Sequence, residues 1–188
     1  MDIKIKGVSV KNLFLLTKEN FNEKYDEWFN SLDIIVRTEF KELISISKFY
    51  DIQTFYVEPL QALGRVCYEG DVNKAAFDIG YLGGKKELTG IYSILLKIPS
   101  LEFILGKLGS FVKTYYEGIS AELVETTGKH IIIEFYGFEH NHTIMFSNIS
   151  GFITYLLETI TKKKCSVSHQ VVNKDSKKVI GKILIKIE

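Results

Sequence analysis

The sequence is poor in the residues that mark many specialised chains. Two cysteines in 188 residues exclude a disulfide framework, and two prolines exclude a Pro-rich linker. Charge of one sign is also missing. The 24 Lys and Arg stand against 23 Asp and Glu, a formal +1, whereas a general nucleic-acid binder carries a clear basic excess. No nucleic-acid partner is expected. No apolar run is long enough to cross a bilayer: Thr143 to Leu157 is nearly uncharged, but it contains Asn, Ser and Gly and falls short of the ~20 residues a span takes. The opening Met1-Asp2-Ile3-Lys4-Ile5-Lys6 alternates charge with apolar residues, which is not the pattern of a signal peptide. The expectation is a cytoplasmic protein with two reduced thiols, in which the glycosylation-type matches at Asn141 and Asn148 are chance. No repeat or low-complexity tract divides the chain, so residues 1–188 are expected to form a single domain.

What is present is a globular composition, 46% hydrophobic and 25% charged, with an unusual 13% aromatic content. The spacing predicts a short helix over Gly7 to Lys18, with Asn20 and Glu23 resembling a capping box for the next one. Phe21, Tyr25, Trp28, Phe29 and Leu32 follow at helical spacing. Ile52 to Cys67 forms another apolar stripe, with Pro59 predicting a kink or restart. Gly70-Asp71 is expected to cap a helix through Leu82, which Gly83-Gly84 ends or thins for close packing. Ile91 to Ile98 reads as helical up to Pro99. Ser100 caps a further helix over Leu101 to Glu117, closed by Gly118.

After Gly118 the period changes to that of strands. Ala121 to Glu125 and Ile131 to Tyr136 make a hairpin, turning near Thr127-Gly128. Ile149, Phe152, Ile153, Leu156, Leu157 and Ile160 restore a helical period, and Lys162-Lys163-Lys164 suits the end of that helix. Cys165 to Val172 and Val179 to Ile187 are two final strands, joined by Asn173-Lys174-Asp175-Ser176. The fold class is therefore α+β: an N-terminal helical half packed on a small antiparallel sheet of about four strands, with one late helix between two hairpins.

Motifs for chemistry are weak. Gly80-Tyr81-Leu82-Gly83-Gly84-Lys85-Lys86 has lysines after glycines but lacks the Ser/Thr, the upstream Gly and the preceding strand of a phosphate loop. His140, His142 and Glu139 are metal-ligand types, but a site takes three or four converging groups; a polar loop is the plainer reading. Cys67 lies on an apolar stripe and reads as a small hydrophobe. Cys165 follows three lysines, which could lower its pKa, although a structural role fits better. Carboxylates such as Glu58, Asp78 and Glu102 are scattered, and catalytic residues are expected to be none. The aromatic stripes read as core, with an apolar ligand pocket as the alternative. Tyrosine bears on that alternative, because a buried hydroxyl needs a partner.

Spaced landmarks carry a resemblance. They are Lys6-Gly7, Ser47-Lys48-Phe49-Tyr50, Tyr68-Glu69-Gly70-Asp71, Gly80, Pro99-Ser100, Tyr115-Tyr116-Glu117-Gly118 and Gly151-Phe152. In these the chain resembles an uncharacterised bacterial family first noted as myxobacterial paralogues. More distantly it is similar to 4-vinyl reductase domains, heme–nitric-oxide-binding domains and TRAPP tethering subunits. The resemblance implies helices and an antiparallel sheet enclosing a small-molecule pocket, in a domain that is often a homodimer. The departures matter. Heme–nitric-oxide-binding domains use a helical histidine and a Tyr-x-Ser-x-Arg motif, but no His precedes His130 here, and Arg37 and Arg65 stand in no such motif. This speaks against heme held by a helical histidine, and leaves the cofactor unknown. Only Cys165 lies where vinyl-reductase-type domains often carry several cysteines, so a metal held there is not expected. An acyl chain on the helical Cys67 has only a distant parallel in TRAPP relatives.

The leading expectation is a non-enzymatic sensory or ligand-binding domain for a small apolar molecule, lined by Tyr50, Tyr56, Cys67, Tyr81, Phe103, Phe111 and Tyr115. The alternatives are an adaptor working through dimer or partner contacts, and an enzyme acting on a tetrapyrrole or acyl group.

Overall fold

A computed structural model describes residues 2–89, 101–127, 130–173, 175 and 178–188, apart from the side chains of residues 88, 89 and 102. The expected helix over Ile91 to Ile98, with Pro99 and Ser100, lies outside them, as do Gly128, Lys174 and Ser176 of the two turns.

The chain opens on a short strand, β1 (Lys4–Lys6), and enters helix α1 (Gly7–Asn20). Helix α1 buries Val10, Leu13, Phe14, Leu16 and Thr17. A turn at Asn22–Lys24 leads to α2 (Tyr25–Ser31) and then α3 (Ile34–Lys41), whose Asp33 accepts a hydrogen bond from the backbone N–H of Ile35. The expected Asn20–Glu23 capping box does not form. Asn20 is still helical, and its side-chain amide turns back to the Leu16 carbonyl. Aromatic rings fill the space between these helices. Phe14 stacks on Phe40 with centroids 4.2 Å apart and meets Trp28 at 5.0 Å. Trp28 is fully buried and donates its indole N–H to the Pro59 carbonyl. Ile34, Ile35 and Leu43 remain 62%, 61% and 83% exposed, so the apolar residues of this region are not all core.

Strand β2 (Phe49–Asp51) is followed by a π-helical turn, Gln53–Val57, and by α4 (Glu58–Cys67). Pro59 sits in the first turn of α4, where its missing N–H costs little; the predicted interruption is this restart. Asp71 accepts from the N–H of Lys74 and starts α5 (Val72–Thr89). The Gly80–Lys86 stretch lies wholly inside α5 and is no phosphate loop.

The predicted helix over Leu101 to Glu117 is broken in two, α6 (Leu101–Gly106) and α7 (Leu108–Tyr115), and its last residues are strand β3 (Tyr116–Glu117). The reason is pairing: Tyr116 lies opposite Ile5 and Glu117 opposite Lys4 on β1, so the tail satisfies its backbone groups in a ladder rather than a helix. Gly118, at φ +84°, turns the chain out of that strand, not out of a helix.

Strands β4 (Ser120–Thr127) and β5 (His130–Tyr136) form the first hairpin, with a bulge between Leu123 and Glu125. A single turn, His140–His142, leads into α8 (Ile144–Thr161), and strands β6 (Cys165–Asn173) and β7 (Val179–Ile187) close the chain. Their sheet is antiparallel in the order β4-β5-β7-β6, which puts β7 in the interior. A second antiparallel sheet, β2-β1-β3, was not foreseen. The fold is α+β, with α8 inserted between two hairpins.

Helices α5 and α8 pack backbone to backbone. A Cβ on Gly80 would collide with the Asn148 carbonyl, and one on Gly151 with the Phe77 carbonyl. The two glycines let the helices approach far more closely than side chains would allow.

Candidate functional site

The close pairing of α5 and α8 forms one wall of a cavity of about 150 Å³. Helix α1 contributes Ser9, Asn12, Leu13 and Leu16, and the π-helical turn contributes Tyr56. From α6, α7 and β3 come Ile104, Leu105, Leu108, Phe111, Val112, Tyr115 and Tyr116. The sheet supplies Ile133, Phe135 and Ile185. Helix α5 faces the cavity with Ile79, Gly80, Gly83 and Glu87, and α8 with Asn148, Ile149, Phe152, Ile153, Leu156 and Leu157. The lining is apolar except at one corner.

That corner is organised by Glu87. Tyr115 donates its hydroxyl proton to one carboxylate oxygen at 2.6 Å, and the Asn12 amide donates to the other at 3.1 Å. Burial raises the Glu87 pKa above its ordinary value, and the two hydrogen bonds offset part of that rise. Tyr56 donates to the Asn148 side-chain oxygen at 3.4 Å, and the Asn148 amide is held in turn by the Ala76 carbonyl at 3.0 Å. Burial pushes the hydroxyls of Tyr56 and Tyr116 upward, and the charge of Glu87 adds to both shifts. Tyr56, Tyr116 and Glu87 thus share one electrostatic neighbourhood. Tyr116 is aimed inward because its partner across the ladder, Ile5, is buried in the core, and paired residues point to the same face.

Of the residues expected to line a pocket, Tyr56, Phe111 and Tyr115 border this cavity. Tyr50, Cys67, Tyr81 and Phe103 lie elsewhere. Tyr50 is buried on the small sheet, accepts from the Ser45 N–H at 3.0 Å and packs on Phe55. Cys67 ends α4, half-buried, with its thiol pKa raised by burial. Tyr81 turns to the outer side of the α5–α8 contact, against Tyr155, and donates to Glu158 at 3.3 Å. Phe103 is 49% exposed, with Lys107 over its ring. Helical spacing gave the face of each stripe but not which of two neighbouring faces would meet the cavity. Asn12, Glu87, Tyr116 and Asn148 were missed. One signal was available for Glu87: it continues the row Ile79, Gly80, Gly83 at helical spacing, which places a carboxylate on an otherwise small and apolar face.

The other candidates are structural. The nearby lysines do not activate Cys165; burial raises its thiol pKa. His142 turns back, and its Nδ1 accepts from the Glu139 N–H at 3.2 Å. Among the described residues, no three His, Cys, Asp or Glu side chains converge as a metal ion requires.

No family model and no curated protein matches this chain. Solved structures do. The H-NOX protein of K. algicida in its Fe(II) unliganded form superposes with a TM-score of 0.74, at 13% identity over 98% of this chain and 97% of that one. The I5F mutant of the T. tengcongensis H-NOX superposes at 0.67, with 16% identity and 98% of each chain covered. A further structure, described as probing heme distortion in the H-NOX family, reaches 0.73 at 16% identity, over 98% and 95%. This chain has the H-NOX fold. At such low identity the likeness extends to the fold alone, and whether the heme chemistry accompanies it depends on the donor set.

The described lining does not fit a heme. It contains no His, Cys or Met to serve as an axial ligand, and no Lys or Arg to meet porphyrin carboxylates. Of its three tyrosines, Tyr115 is bonded to Glu87 and Tyr56 to Asn148, and burial raises the pKa of the third, Tyr116, which disfavours the tyrosinate that iron would take. The four histidines, on β5 (His130), the turn before α8 (His140 and His142) and β6 (His169), are not among the lining residues.

Proposed function

We propose that this chain is a non-enzymatic sensory domain of H-NOX fold that binds a small apolar molecule directly rather than through heme. The observation that carries the reading is the cavity, lined by helices and sheet and apolar except at its Glu87 corner. An apolar cavity of about this volume is enough to take up a single aromatic ring in a well-studied engineered case. The landmarks shared with the uncharacterised bacterial family and with vinyl reductase domains support the same reading. So does the fold shared with the H-NOX structures, one of which is described as probing heme distortion: here the fold keeps a cavity while its described lining lacks the donors for that group. No helix among the described residues is long and apolar enough to cross a membrane, and we place the domain in the cytoplasm.

Hemin titration and benzene titration of the purified protein, run side by side, test this. Benzene is expected to raise the melting temperature as its concentration rises, by linkage. Hemin is expected to give no sharp, stoichiometric Soret band. A saturable one-to-one hemin complex, or no response to benzene up to its solubility, would overturn the proposal.

A further inference from the structure

We propose that the cavity selects a neutral molecule bearing a hydroxyl group, seating the hydroxyl between Tyr116 and Glu87 and the apolar body among the α7 and α8 side chains. This rests on the reading of the cavity as a binding site and adds what that site recognises.

Three observations lead to it. The first is the hydroxyl of Tyr116. The side chain borders the cavity and points inward from β3. Among the described residues no hydrogen bond satisfies its hydroxyl, in contrast with Tyr50, Tyr56, Tyr81 and Tyr115, whose hydroxyls are all bonded. A hydroxyl that opens on an apolar cavity with no partner from the chain is poorly satisfied, and a ligand group that bonds it gains that hydrogen bond. The second is Glu87. Each of its oxygens takes one donor, from Tyr115 and from Asn12, which leaves acceptor capacity on both. The third is charge: no Lys or Arg borders the cavity among the described residues.

These observations discriminate between head groups. A carboxylate or phosphate would face Glu87 with no cation to offset the repulsion. A purely apolar molecule would leave Tyr116 as it stands. An ammonium would bond Glu87, but it offers no acceptor for the Tyr116 proton. A hydroxyl does both jobs: it donates to a Glu87 oxygen and accepts from Tyr116. The proportions of the site, one polar corner against a long apolar wall, suit a body of roughly one ring carrying a single such group.

Three probes of nearly equal size separate the alternatives: ethylbenzene, benzyl alcohol and benzylamine. Their dissociation constants for the full chain, and for Tyr116→Phe, are measured by calorimetry or NMR titration, and each is normalised to the probe's water–octanol partition. Benzyl alcohol is expected to rank first for the unmodified chain. Its advantage over ethylbenzene is expected to shrink about five- to tenfold in Tyr116→Phe, the loss of one hydrogen bond, while ethylbenzene itself is held as before. Ethylbenzene binding with no normalised gain for the alcohol, or an advantage unchanged in Tyr116→Phe, would overturn the hydroxyl assignment and leave the cavity reading intact. Benzylamine ranking first would overturn it in favour of a cationic ligand. Failure of all three to bind would overturn both. Tyr116→Phe retains the ring against Phe138, and its circular dichroism melt shows whether it folds. Should it fail to fold, the ranking on the unmodified chain decides.

Discussion

Glu87 is the residue at which composition, fold and site meet. It stands on α5, a helix otherwise bearing its charges outward, such as Lys74 and Asp78 paired across one turn at 2.8 Å. Its pKa is raised, first by burial, so the folded chain holds this proton to higher pH than the unfolded chain does. The sign follows. Below the ordinary glutamate value both states carry the proton and the contribution is fully present. As the pH rises past that value, toward and through the raised folded pKa, the unfolded state loses its proton first and stability falls. Glu87→Gln removes this titration while keeping the shape. The stability of Glu87→Gln relative to the unmodified chain is therefore expected to increase as pH goes from 4.5, the ordinary value, toward neutrality, read by urea denaturation across that range. A difference that stays flat with pH would show that Glu87 is not held in a desolvated site. The residue scale is also where the sequence was least legible. Nothing in the chain order distinguishes Tyr116, whose hydroxyl faces a cavity, from Tyr115 beside it, whose hydroxyl is bonded to Glu87. The difference arises because α7 ends between them and the next residue joins a ladder.

At the scale of elements, periodicity served well wherever an element is long and one-sided. Helix α8 and the hairpin β6–β7 stand close to where their spacing placed them, because their buried faces repeat over many residues. It failed for strands of two and three residues, β1 and β3, which are too short to show a period and exist only because they pair with each other. Thinning for close packing was expected only at Gly83-Gly84; Gly84 does lie against Tyr155 and Phe152, but the closest contacts of the α5–α8 pair are made by Gly80 and Gly151. Gly151 meets the Phe77 carbonyl, while a Cβ on Gly83 would touch nothing within 4 Å. Gly151→Ala is therefore expected to destabilise by about 1–3 kcal/mol, because helix backbones must separate. Gly83→Ala is expected to be neutral or to stabilise by up to ~1 kcal/mol through helix propensity. Denaturant midpoints of the two variants check the contrast, and equal shifts would contradict the packing described for this pair.

For the molecule as a whole, the question is whether the aromatic N-terminal helices and the sheet-bearing half stand or fall together. A continuous cluster of buried residues runs from Phe14, Trp28 and Val36 through Leu60, Ile79 and Met145 to Ile183 and Ile187. The cavity lies within this span, bordered by α1 from one half and by β5 and β7 from the other. Much of the aromatic content is thus committed to packing, as in the rings around Phe14, and a smaller part borders the cavity. A shared core predicts one cooperative transition. The single tryptophan makes this measurable, since Trp28 is wholly buried among the N-terminal helices, whereas far-ultraviolet circular dichroism reports on the whole chain. Urea curves followed by Trp28 fluorescence and by circular dichroism are expected to coincide, and a cavity ligand is expected to move both to higher urea by the same amount. A fluorescence transition that precedes the dichroism change would mean that the N-terminal helices unfold on their own. In that case ligand binding, which draws only α1 from that region, would shift the second transition more than the first.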